Sequence, residues 1–256
     1  MVNNCKSDDE LIREVRKLIS DENKYFVERN RNLHINYEEE YHSEVIDPDG
    51  KKRNMLDERE KFLANTKEVT SFLAECKPGK ILDFGCGLGW FLSVLNDNWD
   101  KHGFEVSNFA SNFASQFGKI FNNQIEFYNE SNFDVVIMYH VIEHLTDPHK
   151  TLLQIKEKMK KGAKIIIGTP DFDSIAARTF EGNFRLIKDP GHISLFSTDS
   201  LSRLLRNLDF RIIDIQYPYF DTSWCDFHAI EEIHSPTKQI SPPFYGSVVT
   251  FFCEKK

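Results

Sequence analysis

The chain has little cysteine, and none of it is paired. Cys5, Cys76, Cys86, Cys225 and Cys253 are odd in number, scattered, and contain no C-x-x-C. That pattern argues against a disulfide framework and against a zinc ribbon. An excess of positive charge is missing too: 32 Lys and Arg stand against 40 Asp and Glu, for a formal charge of -8 and a pI near 5.6. An acidic surface repels phosphate backbones, so nucleic acid is not an expected partner. No apolar run is long enough to span a membrane, and the opening MVNNCKSDDELIREV has no apolar signal core. The expectation is therefore a reduced, cytoplasmic protein with no membrane partner. Internal repeats and low-complexity tracts are likewise missing.

What is present is an ordinary globular mixture, 256 residues with 40 % hydrophobic and 28 % charged. That length suits one α/β domain with extensions or two small domains, and it buries a sizeable core without staples. Ser7 to Glu10 read as the cap of a helix with Leu11, Val15, Leu18 and Ile19 at helical spacing. A polar, aromatic stretch follows from Asn30 to Asn54, with a turn at DPDG, Asp47 to Gly50. A longer helix is predicted over roughly Leu56 to Cys76. Residues 1–77 are thus expected to form a helical N-terminal extension or lid, and 78–256 the main domain.

At Pro78-Gly79 the character changes. Short apolar runs alternate with helical segments: KILDFG, HGFEV, FDVVIMY and KIIIGT, separated by helices from about Trp90, Ser107, His149 and Thr198. Alternation of this kind means a parallel sheet covered by helices on both faces. ILDF, VVIM and IIIG lack polar alternation, as strands buried on both sides do. The ending differs. FRIIDIQYPYF and SVVTFFCEKK read as an antiparallel pair at one edge, separated by a loop-rich insertion at about 220–246 with no helix pattern. A loop of that length in a compact domain tends to be functional.

ILDFGCGLG runs a buried strand into a glycine turn and a helix. Glycines at a strand end let a ligand approach the backbone in the crevice of an open α/β sheet. The dinucleotide fingerprint G-x-G-x-x-G fails: counted from Gly85 its third glycine falls on Trp90, and from Gly87 on Leu92. Asp83 lies inside the apolar strand, where an unpaired carboxylate costs several kcal/mol, so the loop or a cationic ligand group must answer it. Glu105 closes the next strand, where an acid can accept both hydroxyls of a ribose.

Asp83-x-Gly85-x-Gly87-x-Gly89, then Glu105, then FDVVIMYHVIEHLTDP resembles the class I S-adenosylmethionine-dependent methyltransferases. The likeness is to the branch with an EH-L-x-x-P signature after the fourth strand. It runs from about Lys80 to Gly168 and less strictly on through PGHISLFSTDSLSRLLRNLDF. The resemblance implies a Rossmann-like, doubly wound seven-stranded sheet, mostly parallel with an antiparallel edge strand. It also implies S-adenosylmethionine as cofactor and S-adenosylhomocysteine as product, held around Asp83, Gly85, Cys86, Gly87, Gly89, Glu105, Val106, Tyr139 and His140. Many relatives read adenine with an acid after the third strand; here Asn122, Asn123 and Gln124 stand in that region, and Asn123 is taken for the role.

The stretch YHVIEH poses a separate question, because His140-Val-Ile-Glu143-His144 matches the H-x-x-E-H pattern of one class of zinc peptidase. That pattern needs both histidines on one helical face, whereas FDVVIMY places His140 at a strand tip; no metal is expected. Methyl transfer from a sulfonium needs alignment and, for a hydroxyl acceptor, a base. The resemblance puts His140 beside the transferred methyl, as base or as packing for the cofactor. Glu143 and His144 are candidates for catalysis or for holding the loop. His192, after Pro190-Gly191, is a second base or a substrate ligand. Tyr37 and Tyr41 in the extension, and Phe244 and Tyr245 in the insertion, are expected to line a lid. Arg178 and Arg185, with Lys188, offer an anion clamp.

The expected activity is methylation of a small polar metabolite, first a sugar, sugar phosphate or nucleotide-linked intermediate of surface-glycan biosynthesis. A quinone-like metabolite is the alternative, and a cofactor-binding but non-catalytic regulatory partner another. Monomer and homodimer both remain open.

Overall fold

The computed structural model describes residues 6–29, 36–218, 222, 225 and 227–256. Seven strands make the central sheet: β1 Lys80–Phe84, β2 Asp100–Phe104, β3 Lys119–Phe121, β4 Phe133–Tyr139, β5 Met159–Pro170, β6 Phe210–Gln216 and β7 Val248–Lys255. Their order is β6-β7-β5-β4-β1-β2-β3. β7 runs antiparallel to both β5 and β6, one place in from the edge, and the other neighbours are parallel. The strand order reverses between β1 and β4, where Ile81, Leu82 and Asp83 pair with Val135, Val136 and Ile137. A crevice opens beyond the carboxyl ends at such a reversal.

The unbroken apolar runs have a simple cause. Val136 and Met138 face a core shared with Leu82, Ile165 and Phe251, while Val135, Ile137 and Tyr139 face a second one with Ile81, Ile166 and Phe252. From Val135 to Tyr139 successive side chains enter alternate cores, so neither face of that stretch is left for polar residues.

A third core lies under the segment after β5. The helix Asp8–Lys17 is closed by the Ser7/Glu10 capping box and packs Leu11, Ile12 and Val15 with Phe172, Phe180 and Phe184. Val27–Glu28 then pairs antiparallel with Ser194–Leu195. The N-terminal segment is thereby stitched to the chain that follows β5, along one wall of the crevice.

Two expectations need correction. The helix predicted over Leu56 to Cys76 is two, Arg59–Asn65 and Lys67–Glu75, broken at Thr66 with φ -117° and ψ 35°. Thr66 Oγ1 donates to the Phe62 carbonyl at 2.9 Å, a local competitor for the helix ladder. The insertion, read as lacking a helix, contains one at Phe227–His234, with Ala229 and Ile233 buried. The DPDG turn closes a hairpin of Val45–Ile46 with Lys52–Arg53. Among the described residues no helix is long and apolar enough to cross a membrane.

Candidate active site

Beyond β1 the chain turns sharply through Gly85 to Gly89, with φ of 78°, 50° and 77° at the three glycines. At Gly85 an added Cβ would lie 2.4 Å from Val141, so side chain and turn cannot coexist. At Gly87 an added Cβ would meet nothing within 4 Å, because its backbone faces open space. Gly89 instead packs against Ala114 and Phe117 and does not line the cavity.

Glu105 is pinned under this turn. Its carboxylate accepts from Gly87 N at 2.8 Å and from Ser107 N at 2.9 Å, which occupies two of its roughly four acceptor sites and leaves the rest for a ligand's hydroxyls. Burial raises its pKa, and those backbone bonds oppose the rise. Asp83 is 2 % exposed and its Oδ2 has no partner. Burial, reinforced by the charge of Glu105, pushes its pKa up to about 8. An orphaned carboxyl in such a place lacks a cation. Cys86 is buried beside it, which drives the thiol pKa well up and makes it inert.

These groups open into a cavity of about 1100 Å³ that runs from Glu105 and Val106 past Tyr139 and His140 to His192. His140 stands at the tip of β4 with φ +55°, an uncommon backbone for a histidine. Its N–H donates to Gly168 O at 2.8 Å, and its Nδ1 donates to Glu143 Oε1 at 3.0 Å. Its side chain is one third exposed, so Nε2 is left for the cavity. Glu143 is fully buried, and Thr169 Oγ1 donates to its other oxygen at 2.9 Å. Burial pushes this carboxyl up, but the His140 bond and the neighbouring histidines prevail and hold it at about 2. The pair has the form of a base oriented by a carboxylate.

The H-x-x-E-H residues do not form a helical metal pair. His140 precedes the 3-10 turn Ile142–His144 and bonds within it, while His144 Nδ1 donates to Gly191 O at 2.9 Å. Glu143 and His144 instead meet His192, all three offering an atom within 4.8 Å of one another. His192 donates from Nδ1 to Leu186 O at 2.6 Å. Burial, then the charge of His144, lowers its pKa to about 4.

The same cavity is lined by Tyr37, Tyr41, Phe62, His144, His192 and Phe244. Tyr37 and Tyr41 meet edge to face with centroids 4.9 Å apart. Glu38 accepts from the backbone of Asn108 at 3.2 Å and of Phe109 at 3.1 Å, tying this segment to the chain after β2.

Several expected residues stand elsewhere. The anion clamp is not assembled. Arg178 lies outside the cavity in a two-pronged pair with Asp173 at 2.7 and 2.9 Å. Arg185 reaches the cavity, but its guanidinium is engaged by Ser241 O at 3.3 Å and Asp47 at 3.8 Å. Lys188 pairs with Asp8 at 3.3 Å. Asn123 caps the short helix Gln124–Tyr128 and does not line the cavity, whereas Asn122 does. Tyr245 packs on Tyr217 outside it. Thr169 and Asp189 were missed; both carried a weak signal as polar residues flanking the strand end and His192.

The fold and the site define a class I, Rossmann-like methyltransferase domain. Residues 55–215 match a methyltransferase-domain family, starting inside the segment read as an N-terminal extension, and the chain belongs to that family. It is 26 % identical over 149 residues to an uncharacterized protein of Methanocaldococcus jannaschii, covering 57 % of this chain and 71 % of that one. It is 27 % identical over 160 residues to a phosphoethanolamine N-methyltransferase of Triticum aestivum, but covers only 31 % of that enzyme. A SAM-dependent methyltransferase from Archaeoglobus fulgidus shares the fold, with a TM-score of 0.55, 20 % identity, and coverage of 77 % and 94 %. So does the plantazolicin methyltransferase BpumL, solved with SAH, with a TM-score of 0.53, 18 % identity, and coverage of 78 % and 86 %.

S-adenosylmethionine is thus the cofactor, and the cradle fits it. The open backbone at Gly87, the spare lone pairs of Glu105 and the orphaned Asp83 match a ligand with a ribose diol and a cationic amino-acid end.

Proposed function

We propose that the protein transfers a methyl group to an oxygen, or second a nitrogen, of a small polar metabolite. The acceptor is a sugar, sugar phosphate or nucleotide-linked intermediate, as surface-glycan biosynthesis in the cytoplasm would supply. The observation that carries this reading is one cavity with the glycine cradle at one end and, opening into it, His140 oriented by a buried carboxylate.

The bound cofactor supplies an activated methyl on sulfur, which leaves as the sulfur regains its electron pair. Glu105 holds the ribose hydroxyls and Asp83 answers the cationic end. His140 takes the acceptor proton on Nε2, and Glu143 balances the charge that forms there. Residues 1–77, through Tyr37, Tyr41 and the Glu38 tie, act as the lid that excludes water.

The aromatic wall of Tyr37, Tyr41, Phe62 and Phe244 favours a second reading, a quinone-like acceptor. Calorimetry tests the cofactor reading: S-adenosylhomocysteine should bind and NAD should not. Turnover with ¹³C-methyl-labelled S-adenosylmethionine and a metabolite library tests the activity. Cofactor binding without transfer to any acceptor would leave a regulatory partner instead.

A further inference from the structure

The wall opposite the glycine cradle has an unusual balance of hydrogen-bonding groups. His144 and His192 both present Nδ1 to a backbone carbonyl, Gly191 O at 2.9 Å and Leu186 O at 2.6 Å. A carbonyl only accepts, so both Nδ1 atoms carry hydrogen, and in each neutral ring Nε2 is a bare acceptor. The two ring centroids are 4.8 Å apart. Around His192 Nε2 stand two more acceptors, Asp189 Oδ2 at 3.6 Å and Glu143 Oε1 at 4.0 Å, both beyond hydrogen-bond reach. Among the described residues no hydrogen bond reaches either Nε2.

The two Nε2 atoms thus offer acceptors to the cavity, and Asp189 and Glu143 add carboxylate oxygens around that of His192, with Glu143 Oε1 already accepting from His140. A bound group that brings hydrogens would find partners there. A phosphate or carboxylate placed there would meet two like charges. The cations nearby are already engaged: Lys188 pairs with Asp8, which Arg29 also holds, and Arg185 is held by Ser241 and by Asp47, which Arg53 also holds. The pocket is also adjacent to the base. The Glu143 oxygen that holds His140 Nδ1 at 3.0 Å lies 4.0 Å from His192 Nε2. His144, Asp189 and His192 all line the cavity.

We propose that the reacting end of the acceptor carries, beside the methylated atom, a hydrogen-bond donor held by His144 and His192. A vicinal diol or an amino alcohol fits, and any anionic part of the acceptor lies toward the outer cavity. This rests on the methyl-transfer reading above and narrows it by selecting against acids at the reacting end.

The test uses the full chain labelled with ¹⁵N-histidine and loaded with S-adenosylhomocysteine, with ring signals assigned through His144→Gln and His192→Gln. Near neutral pH His192 should show a protonated Nδ1 and an unprotonated Nε2. Ethylene glycol and 2-aminoethanol should shift the Nε2 signals, and inorganic phosphate should not. The proposal is overturned by phosphate shifting them as strongly, by no probe shifting them, by either ring carrying two protons, or by zinc that survives dialysis at that site. A second arm uses the labelled methyl donor with mixed sugars, sugar phosphates and amino alcohols. A product methylated next to a hydroxyl or amine supports the assignment, and one methylated next to a phosphate or carboxylate overturns it. Absence of all transfer would break the methyl-transfer reading itself, while the ring signals would still decide whether the donor pocket exists.

Discussion

The two ends of the cavity are built in different ways. The cofactor end comes from one continuous strand-turn-helix-strand unit, β1 to the end of β2, in which Asp83, the glycine turn and Glu105 are neighbours in sequence and in space. The end proposed for the acceptor is assembled from four distant stretches: Tyr37 and Tyr41, His140 to His144, Arg185 to His192, and Phe244. A ligand shared by a whole family can be met by a local unit. An acceptor particular to one member is met by whatever loops the sheet brings together, which is where binding residues tend to concentrate. Variants on the two sides should therefore fail in different ways.

The largest effect is expected from His140→Ala. Its turnover should fall roughly 10²- to 10⁴-fold, the usual range for general acid-base groups, while S-adenosylhomocysteine affinity measured by calorimetry stays within a few-fold. Equal losses in both would erase the division between the two ends. On the cofactor side, Glu105→Ala removes an acceptor that also holds Gly87 and Ser107. Charged hydrogen bonds of about 1.5–3 kcal/mol predict a loss of roughly 10- to 100-fold in cofactor affinity, with turnover at saturating cofactor changed little.

Glu143→Gln keeps the shape around His140 but removes the buried charge. Turnover should drop about tenfold with cofactor affinity unaltered, on the same scale for a hydrogen bond to a charged group. If cofactor affinity falls instead, Glu143 supports the loop rather than the base.

Asp83 gives a smaller, pH-dependent effect. Its folded-state pKa is raised to about 8, so below that pH the empty site holds a proton that the unfolded chain, titrating near the ordinary 3.8, does not. A cationic ligand needs the ionised form. Cofactor binding should therefore release a proton and weaken as pH falls below about 8. Calorimetry in buffers of differing ionisation enthalpy would show the release, and Asp83→Asn should abolish it. Least of all is expected from Arg178→Ala: an exposed pair outside the cavity should leave the acceptor KM where it was.

The strands were legible because their cause is local. A run such as VVIMY, Val135 to Tyr139, feeds two cores on alternate residues, and only a doubly covered strand tolerates that pattern. The glycine turn and Glu105 were legible for a related reason, since spacing along one unit determines their distance. The break at Thr66 was not, because a hydroxyl bonding back to Phe62, which can bend a helix, leaves the hydrophobic pattern unchanged. The clamp of Arg178, Arg185 and Lys188 was misread because counting charges along the chain does not reveal where their partners stand. Asp47 and Asp8 reach Arg185 and Lys188 from distant segments, while Asp173, five residues before Arg178, turns that guanidinium away from the cavity.

Sequence alone determined the sheet class and the position of the crevice at the end of β1, which follow from local residue patterns, while the cofactor came from the resemblance to a family. Tertiary structure alone decided what the histidines are for. His140 bonds to Glu143 three residues away, but His144 and His192 meet only because the segment after β5 folds back over the strand tip and lends them its carbonyls. Hydrogen-bond roles depend on which atoms face each other, and no spacing rule reaches across a sequence separation of 47.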